Sequence, residues 1–226
     1  ALPICFVSKF AGAYASDETV KRRIEQNKRN KKILEQTYIE NQHDQKFKIS
    51  ELAAKGTANK SIRRGELMLR MRGLEEIAVE LGHVGLFVTL TCPSKFHAIQ
   101  WGSGTTNPNY NGTTPREAQA YLQGVWACIR AKLHRASCKP YGFRIAEPHH
   151  DACPHWHMLV FVAPEQAAMF ESVMQEYALA EDGTEPGAAK NRIKIVRIEA
   201  SKGTAAGYIA KYIGKNIDSE DRKSVV

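Results

Sequence analysis

No stretch of the 226-residue sequence approaches the ~18 consecutive apolar residues that a membrane-spanning helix needs, and no basic-then-apolar segment opens it. A membrane role is therefore not expected. Cysteine is scarce: Cys5, Cys92, Cys128, Cys138 and Cys153 are an odd number and form no C-x-x-C pair. That pattern argues against a disulfide-stapled secreted scaffold and suits a reducing cytoplasm, where Cys packs as a small hydrophobe. Repeats and low-complexity tracts are missing as well, which removes solenoid and linker-like readings.

What is present is an ordinary globular composition, 43% hydrophobic and 25% charged, with enough length for one large domain or a domain with an appendage. The charge balance is less ordinary. Thirty-two Lys and Arg against 24 Asp and Glu leave +8, with a pI near 9.2. Such an excess favours a polyanionic partner, nucleic acid ahead of an anionic membrane surface. The sequence begins with Ala and stops at Arg222-Lys223-Ser224-Val225-Val226 directly after a helical pattern, as a piece of a longer protein would.

Residues 17–48 are polar and strongly basic, with Lys21-Arg22-Arg23 and Lys28-Arg29-Asn30-Lys31-Lys32. Val20, Ile24, Ile33, Leu34 and Tyr38 lay a thin apolar stripe along an expected helix, either solvated or in contact with DNA. Leu67, Met71, Leu74, Ala78 and Leu81 mark a second helix, stopped by Gly82. Residues 86–91 are β-branched and apolar, hence a strand. Residues 101–114 read as a long Gly/Asn/Thr/Pro loop. Thr114-Pro115-Arg116-Glu117 restarts helix with a capping box, and Leu122, Val125, Trp126, Ile129 and Leu133 are its expected buried face. Strands at 143–147 and 157–162 form a hairpin, followed by a helix from Ala163-Pro164-Glu165, a loop at 181–188, a strand at 192–198 and a helix over 204–217. This order predicts an α+β sandwich, an antiparallel sheet with helices on its faces.

Chemistry concentrates in Glu147-Pro148-His149-His150-Asp151-Ala152-Cys153-Pro154-His155-Trp156-His157. His155 and His157 are two apart at a strand start, so both rings leave one face while Trp156 enters a packing layer. The hairpin brings Glu147 beside them, with Asp151 in reserve. Two imidazoles and a carboxylate hold a metal while leaving positions for substrate oxygens. An isolated H-x-H pair is equally the mark of surface or hydrogen-bonded histidines.

The closing helix holds Tyr208-Ile209-Ala210-Lys211-Tyr212. Its tyrosines share a face at i,i+4, with Lys211 and Lys215 near it. Two packed aromatics would look the same, but Ile209, Ile213 and Ile217 already supply a buried stripe. A tyrosine hydroxyl is only about one part in a thousand ionised at pH 7. A divalent cation on a phosphate and a nearby Lys would favour its attack, giving a phosphotyrosine and a free 3′ hydroxyl.

The strand Phe87-Val88-Thr89-Leu90-Thr91-Cys92-Pro93-Ser94, the pair His155-Trp156-His157 and the helix Tyr208-x-x-Lys211-Tyr212 stand in that order. Together they resemble the three motifs of HUH-type rolling-circle replication initiators, most closely the phage replication gene A proteins. The resemblance covers roughly residues 85–217. It implies a ferredoxin-like sandwich with a central antiparallel sheet over residues 85–226, preceded by a basic helical region, 1–84. It also implies one Mg²⁺ or Mn²⁺ on His155, His157 and Glu147, with Tyr208 and Tyr212 as nucleophiles and Lys211 as charge partner. The implied substrate is single-stranded DNA at a replication origin in the host bacterial cytoplasm, with a host helicase and polymerase as further partners. Bases would stack on Trp101 or Tyr110 in the long loop, and Lys215 would meet phosphate.

Three other readings stay open on the residues alone. A relaxase or transposase would share the chemistry. A binding module could hold structural zinc on Cys138, His149, His150 and Cys153, although without paired ligand spacing. A phosphohydrolase working through phosphohistidine would not need either tyrosine.

Overall fold

A computed structural model describes residues 7–10, 12–199 and 204–217, and their side chains apart from those of residues 206, 211, 215 and 216. The elements run α1 (Asp17–Gln36), β1 (Tyr38–Glu40), β2 (Lys46–Lys48), α2 (Ile49–Lys55), α3 (Lys60–Glu80), β3 (Val84–Thr91), α4 (Pro115–Arg135), β4 (Tyr141–Pro148), β5 (Pro154–Val162), α5 (Ala167–Ala178), α6 (Ala188–Asn191), β6 (Ile193–Arg197) and α7 (Ala205–Ile217).

Four strands make the central sheet in the order β4-β5-β3-β6, every neighbouring pair antiparallel. Two β-α-β crossovers, β3-α4-β4 and β5-α5-β6, interleave to give that order, which is the ferredoxin-like arrangement. The sheet forms because its strands alternate. Leu86, Val88 and Leu90 of β3 and Trp156, Met158 and Val160 of β5 enter one core with Leu122, Ile129 and Leu133 of α4 and Phe170 and Met174 of α5. The odd positions of β5 face the other way, where Leu159 and Phe161 meet Met71 and Ala78 of α3 and Ile209, Ile213 and Ile217 of α7. Covered on both sides, β5 reads as a nearly continuous buried run.

Local chemistry fixes the ends. Thr114 and Glu117 close the expected capping box at α4. Gly82, at φ 65, turns the chain out of α3. On α7, Thr204 Oγ1 accepts from Gly207 N–H at 3.1 Å and Glu75 accepts from Ala205 N–H at 2.6 Å, so α3 satisfies an orphan donor of its neighbour. Within β4, Gly142 lies against the Leu159 carbonyl with φ 151, and a Cβ there would sit 1.9 Å from that oxygen. Only glycine fits.

The basic N-terminal stretch differs from the expected long helix. Helix α1 stops at Gln36, and β1 and β2 pair as a hairpin before α2. Asn41 explains the turn: its side-chain oxygen accepts from the N–H of His43 at 2.9 Å and Gln45 at 3.1 Å, holding an Asx turn that outweighs helix continuation. The loop expected at 181–188 likewise runs into the single turn of α6. No described helix is long and apolar enough to cross a membrane.

Candidate active site

Register decides which polar groups meet. Glu147 of β4 pairs with His155 of β5, Thr89 of β3 with His157, and Thr91 with His155. All five side chains therefore leave the α7 side of the sheet, at the end where the hairpin turns. There His155 Nε2 and His157 Nε2 stand 2.8 Å apart, and Glu147 Oε2 lies 3.2 Å from His157 Nε2 and 3.8 Å from His155 Nε2. Glu147 and His157 are buried, only 5% and 7% exposed. One ligand atom from each of the three residues falls within 4.8 Å of the others, the only such group of three or more among the described residues. The Thr89 hydroxyl is 3.2 Å from His157 Nδ1 and can accept a hydrogen bond from Nδ1–H, the tautomer that leaves the Nε2 lone pair facing Glu147.

Converging lone pairs and a carboxylate repel one another unless a cation or proton sits among them. The donor set, two imidazoles and one carboxylate, is one that divalent cations accept. The residues present fit a metal.

A second layer backs this group. His149 packs its ring on His155, centroids 4.0 Å apart, and meets His97 at 5.0 Å. Burial, then repulsion from His155 and His97, pushes the His149 pKa down to about 2, so the ring is neutral at ordinary pH. Asp151, the reserve ligand, points elsewhere: its Oδ2 lies 3.0 Å from His97 Nδ1, and its Oδ1 accepts from Cys153 N–H at 3.1 Å. Burial alone would raise its pKa, but the hydrogen bond and charge of His97, with the Cys153 N–H, hold it below the ordinary carboxylate value. Cys138, His149, His150 and Cys153 do not form a metal-sized group among the described residues, which removes the basis of the structural-zinc reading.

Helix α7 brings the tyrosines. Ile209, Ile213 and Ile217 are buried at 0, 3 and 4% exposure, and the half-buried tyrosines lie on the flank of that stripe. Tyr212 stacks on His157 with ring centroids 3.9 Å apart and planes 29° from parallel. Phe87, on the same face of β3, touches all three rings: His157 and Tyr212 at 5.7 Å each and Tyr208 at 5.9 Å. Thus Tyr212 contacts His157, while Tyr208 sits one turn away on Phe87. Lys211 and Lys215 belong to this helix, but their side chains lie outside the described ones.

A cleft of about 770 Å³ runs from Glu147, His155 and His157 past Tyr212 to Trp101. Trp101 is 73% exposed and stacks one face on His150 at 5.2 Å, which leaves the other face open to a planar group. Tyr110 is half-buried further round the loop, its hydroxyl donating to the Thr113 carbonyl at 2.8 Å. Sequence reasoning quoted Phe87 and Thr89 only as part of a motif and gave His97 no part. Their odd spacing from buried Leu86, Val88 and Leu90 was the available signal for the first two. No local signal marked His97, since its partner is 54 residues away.

Residues 1–220 match the family described as bacteriophage replication gene A protein (GPA). Over 215 residues the chain is 46% identical to the replication gene A protein of Escherichia phage 186, covering 94% of this chain and 31% of that protein. Identity to the replication protein of Haemophilus phage HP1 is 41% over 210 residues, 92% of this chain and 26% of the other. A probable replication endonuclease from prophage-like region 1 of Salmonella typhi is 36% identical over 216 residues, 95% of this chain and 27% of the other. The chain thus spans roughly a quarter to a third of these relatives' length. No solved structure matches it.

Proposed function

The chain belongs to the bacteriophage replication gene A protein family, and on that premise we propose that it starts rolling-circle replication by nicking single-stranded origin DNA and joining the new 5′ end to a tyrosine. Relatives bear the names replication protein and probable replication endonuclease. Both relatives are several times longer than this chain. Residues 85–226 carry the chemistry and the basic region 1–84 assists it, in the cytoplasm of the bacterial host.

Glu147, His155 and His157 would hold one Mg²⁺ or Mn²⁺. Such a cation, when bound, would neutralise charge on the scissile phosphate and favour in-line displacement. Everything else falls to the chain. Tyr212 attacks phosphorus through its phenolic oxygen: an O–P bond forms as the bond to the 3′ oxygen breaks. The phenol gives up one proton and the departing oxygen takes one, leaving a 3′ hydroxyl and a 5′-phosphotyrosine. One phosphodiester replaces another, so the strand can be rejoined later. Tyr208, on the preceding turn, makes a second transfer while Tyr212 stays loaded. Lys211, between them, favours the phenolate form. Lys215 meets backbone phosphate, and Trp101 and Tyr110 receive bases of the extended strand. A host helicase and polymerase would take over at the free 3′ end.

The observation that carries this reading is the stacking of Tyr212 on His157 at 3.9 Å, within a group that includes Glu147 and His155. The test uses a single-stranded origin oligonucleotide with different fluorophores at its 5′ and 3′ ends, incubated with Mn²⁺ and run on a denaturing gel. A protein band carrying only the 3′ label is expected. It should vanish with EDTA, in His157→Ala and in the Tyr208→Phe/Tyr212→Phe double variant. Cleavage that survives loss of both tyrosines would overturn the proposal.

A further inference from the structure

The N-terminal arm concentrates the molecule's charge on an element that nothing in the fold requires to be charged. Residues 17–64 hold thirteen Lys and Arg against seven Asp and Glu, a net +6 of the chain's +8. No residue in that span is buried. Helix α1, 20 residues and about 30 Å long, has no buried side chain. A surface helix in a globular fold normally gives one face to the core; α1 packs only on its own neighbours α2 and β2 among the substantial contacts of the described residues.

Of the seven basic residues of α1, two have a carboxylate within ion-pair distance among the described residues and five do not. Arg22 is held by Glu18, and Lys31 lies 3.9 Å from Glu35. Lys21, Lys28 and Lys32 have no carboxylate within ion-pair distance among the described residues. At i, i+7 and i+11 they lie within about 20° of one line along the helix and span about 16 Å. The root of the arm is fixed beside the cleft. Tyr14 donates its backbone N–H to the His150 carbonyl at 3.0 Å and lays its ring on His150 at 4.9 Å, with Ala15 buried just before α1 begins. His150 is also the residue beneath Trp101. The helix that carries this row of unneutralised cations is therefore rooted, through Tyr14, at the rim of the proposed nicking cleft.

We propose that α1 lies along the phosphate backbone of duplex DNA flanking the strand that enters the cleft, an inference that rests on the DNA-nicking reading above. Charge complementarity selects a polyanion. The lack of Phe, Tyr or Trp in α1 selects duplex over single strand, because single-strand sites depend on aromatic stacking platforms. A duplex, with one charge per ~1.7 Å of axis, offers many phosphates to a straight 16 Å row.

The test is fluorescence anisotropy in EDTA, where no cleavage occurs, with a labelled duplex and a single strand of the same sequence across a salt series. Wild type is compared with the variant carrying Lys21→Gln, Lys28→Gln and Lys32→Gln. Three lost phosphate contacts should flatten the duplex salt slope by about 2.7, so wild type loses about 40-fold more duplex affinity than the variant between about 50 and about 200 mM salt. Single-strand binding should change much less. The matching Lys→Arg triple variant should keep the wild-type slope, which separates charge from folding. An unchanged duplex slope would overturn the proposal, leaving α1 as a solvated helix or a seat for another protein segment. Equal losses on duplex and single strand would overturn it too. Failure of the tyrosine reading would show in the adduct assay and leave this binding result standing.

Discussion

One strand, β5, serves two environments through its two faces. Trp156, Met158, Val160 and Val162 are 4% exposed or less and close a dry core with α4 and α5. The opposite face begins with His155 and His157 and turns apolar only at Leu159 and Phe161, where α3 and α7 cover it. Cover accounts for the difference. The isoleucines of α7 seal the far half of the strand, and its tyrosines reach back over the near half without closing it. Imidazoles and a carboxylate can sit there because they border a cleft that admits water or a cation; in the dry core each would lack a partner. A single residue step thus separates a side chain that stabilises the fold from one free to do chemistry.

Substitutions on either face can break or sharpen that contrast. His157→Ala should lower adduct formation by more than about 10³-fold, since it removes a proposed metal donor and the ring beneath Tyr212. Its urea midpoint should stay close to wild type, whereas a large loss of stability would mean that His157 acts chiefly in packing. Trp156→Ala, one position away, should cost ~3–5 kcal/mol in urea unfolding, the usual penalty for emptying a large core site. At low temperature, where it remains folded, it should still form adduct; loss of activity in the folded protein would erase the distinction between the faces.

Smaller effects probe the supports. Thr89→Val removes the oxygen beside His157 Nδ1 at nearly constant volume and should weaken Mn²⁺ binding by roughly 10- to 100-fold by calorimetry. Unchanged affinity would show that β5 alone orients the ring. Asp151→Asn tests the second layer through pH. Asp151 has a folded-state pKa below its unfolded value, so its contribution is complete above the unfolded pKa, about 3.9, and is lost as pH falls through the folded value. The variant should flatten this part of the acid unfolding curve; an unaltered acid limb would leave the His97 pair without a role in stability.

The parts of the fold legible in the sequence were those written in short-range pattern. Thr114 and Glu117 announce their capping box, Leu86, Val88 and Leu90 their strand, and Ile209, Ile213 and Ile217 the buried stripe that sets the tyrosines aside. Glu147 was legible because a hairpin links neighbouring strands and fixes which residues oppose. Other features depend on partners distant in sequence. Phe87 reads as one apolar residue among several, and its position beneath both tyrosines follows only from β3 lying beside β5 under α7. His97 and Asp151 meet across 54 residues, and Trp101 finds His150 across 49. The β1-β2 hairpin was hidden for the opposite reason: its signal, the Asn41 turn, is local but lies in a charged run that also suits helix.

The most direct test of the central claim is to locate the attached nucleotide. Lys211 separates the two tyrosines, so trypsin places Tyr208 in the peptide ending at Lys211 and Tyr212 in the peptide 212–215. After one turnover on origin strand with Mn²⁺ and nuclease trimming, mass spectrometry should find the nucleotide on the 212–215 peptide, with the 203–211 peptide unmodified. Label first on Tyr208 would reverse the order drawn from the His157 stack, and label on neither peptide would contradict tyrosine nucleophilicity itself.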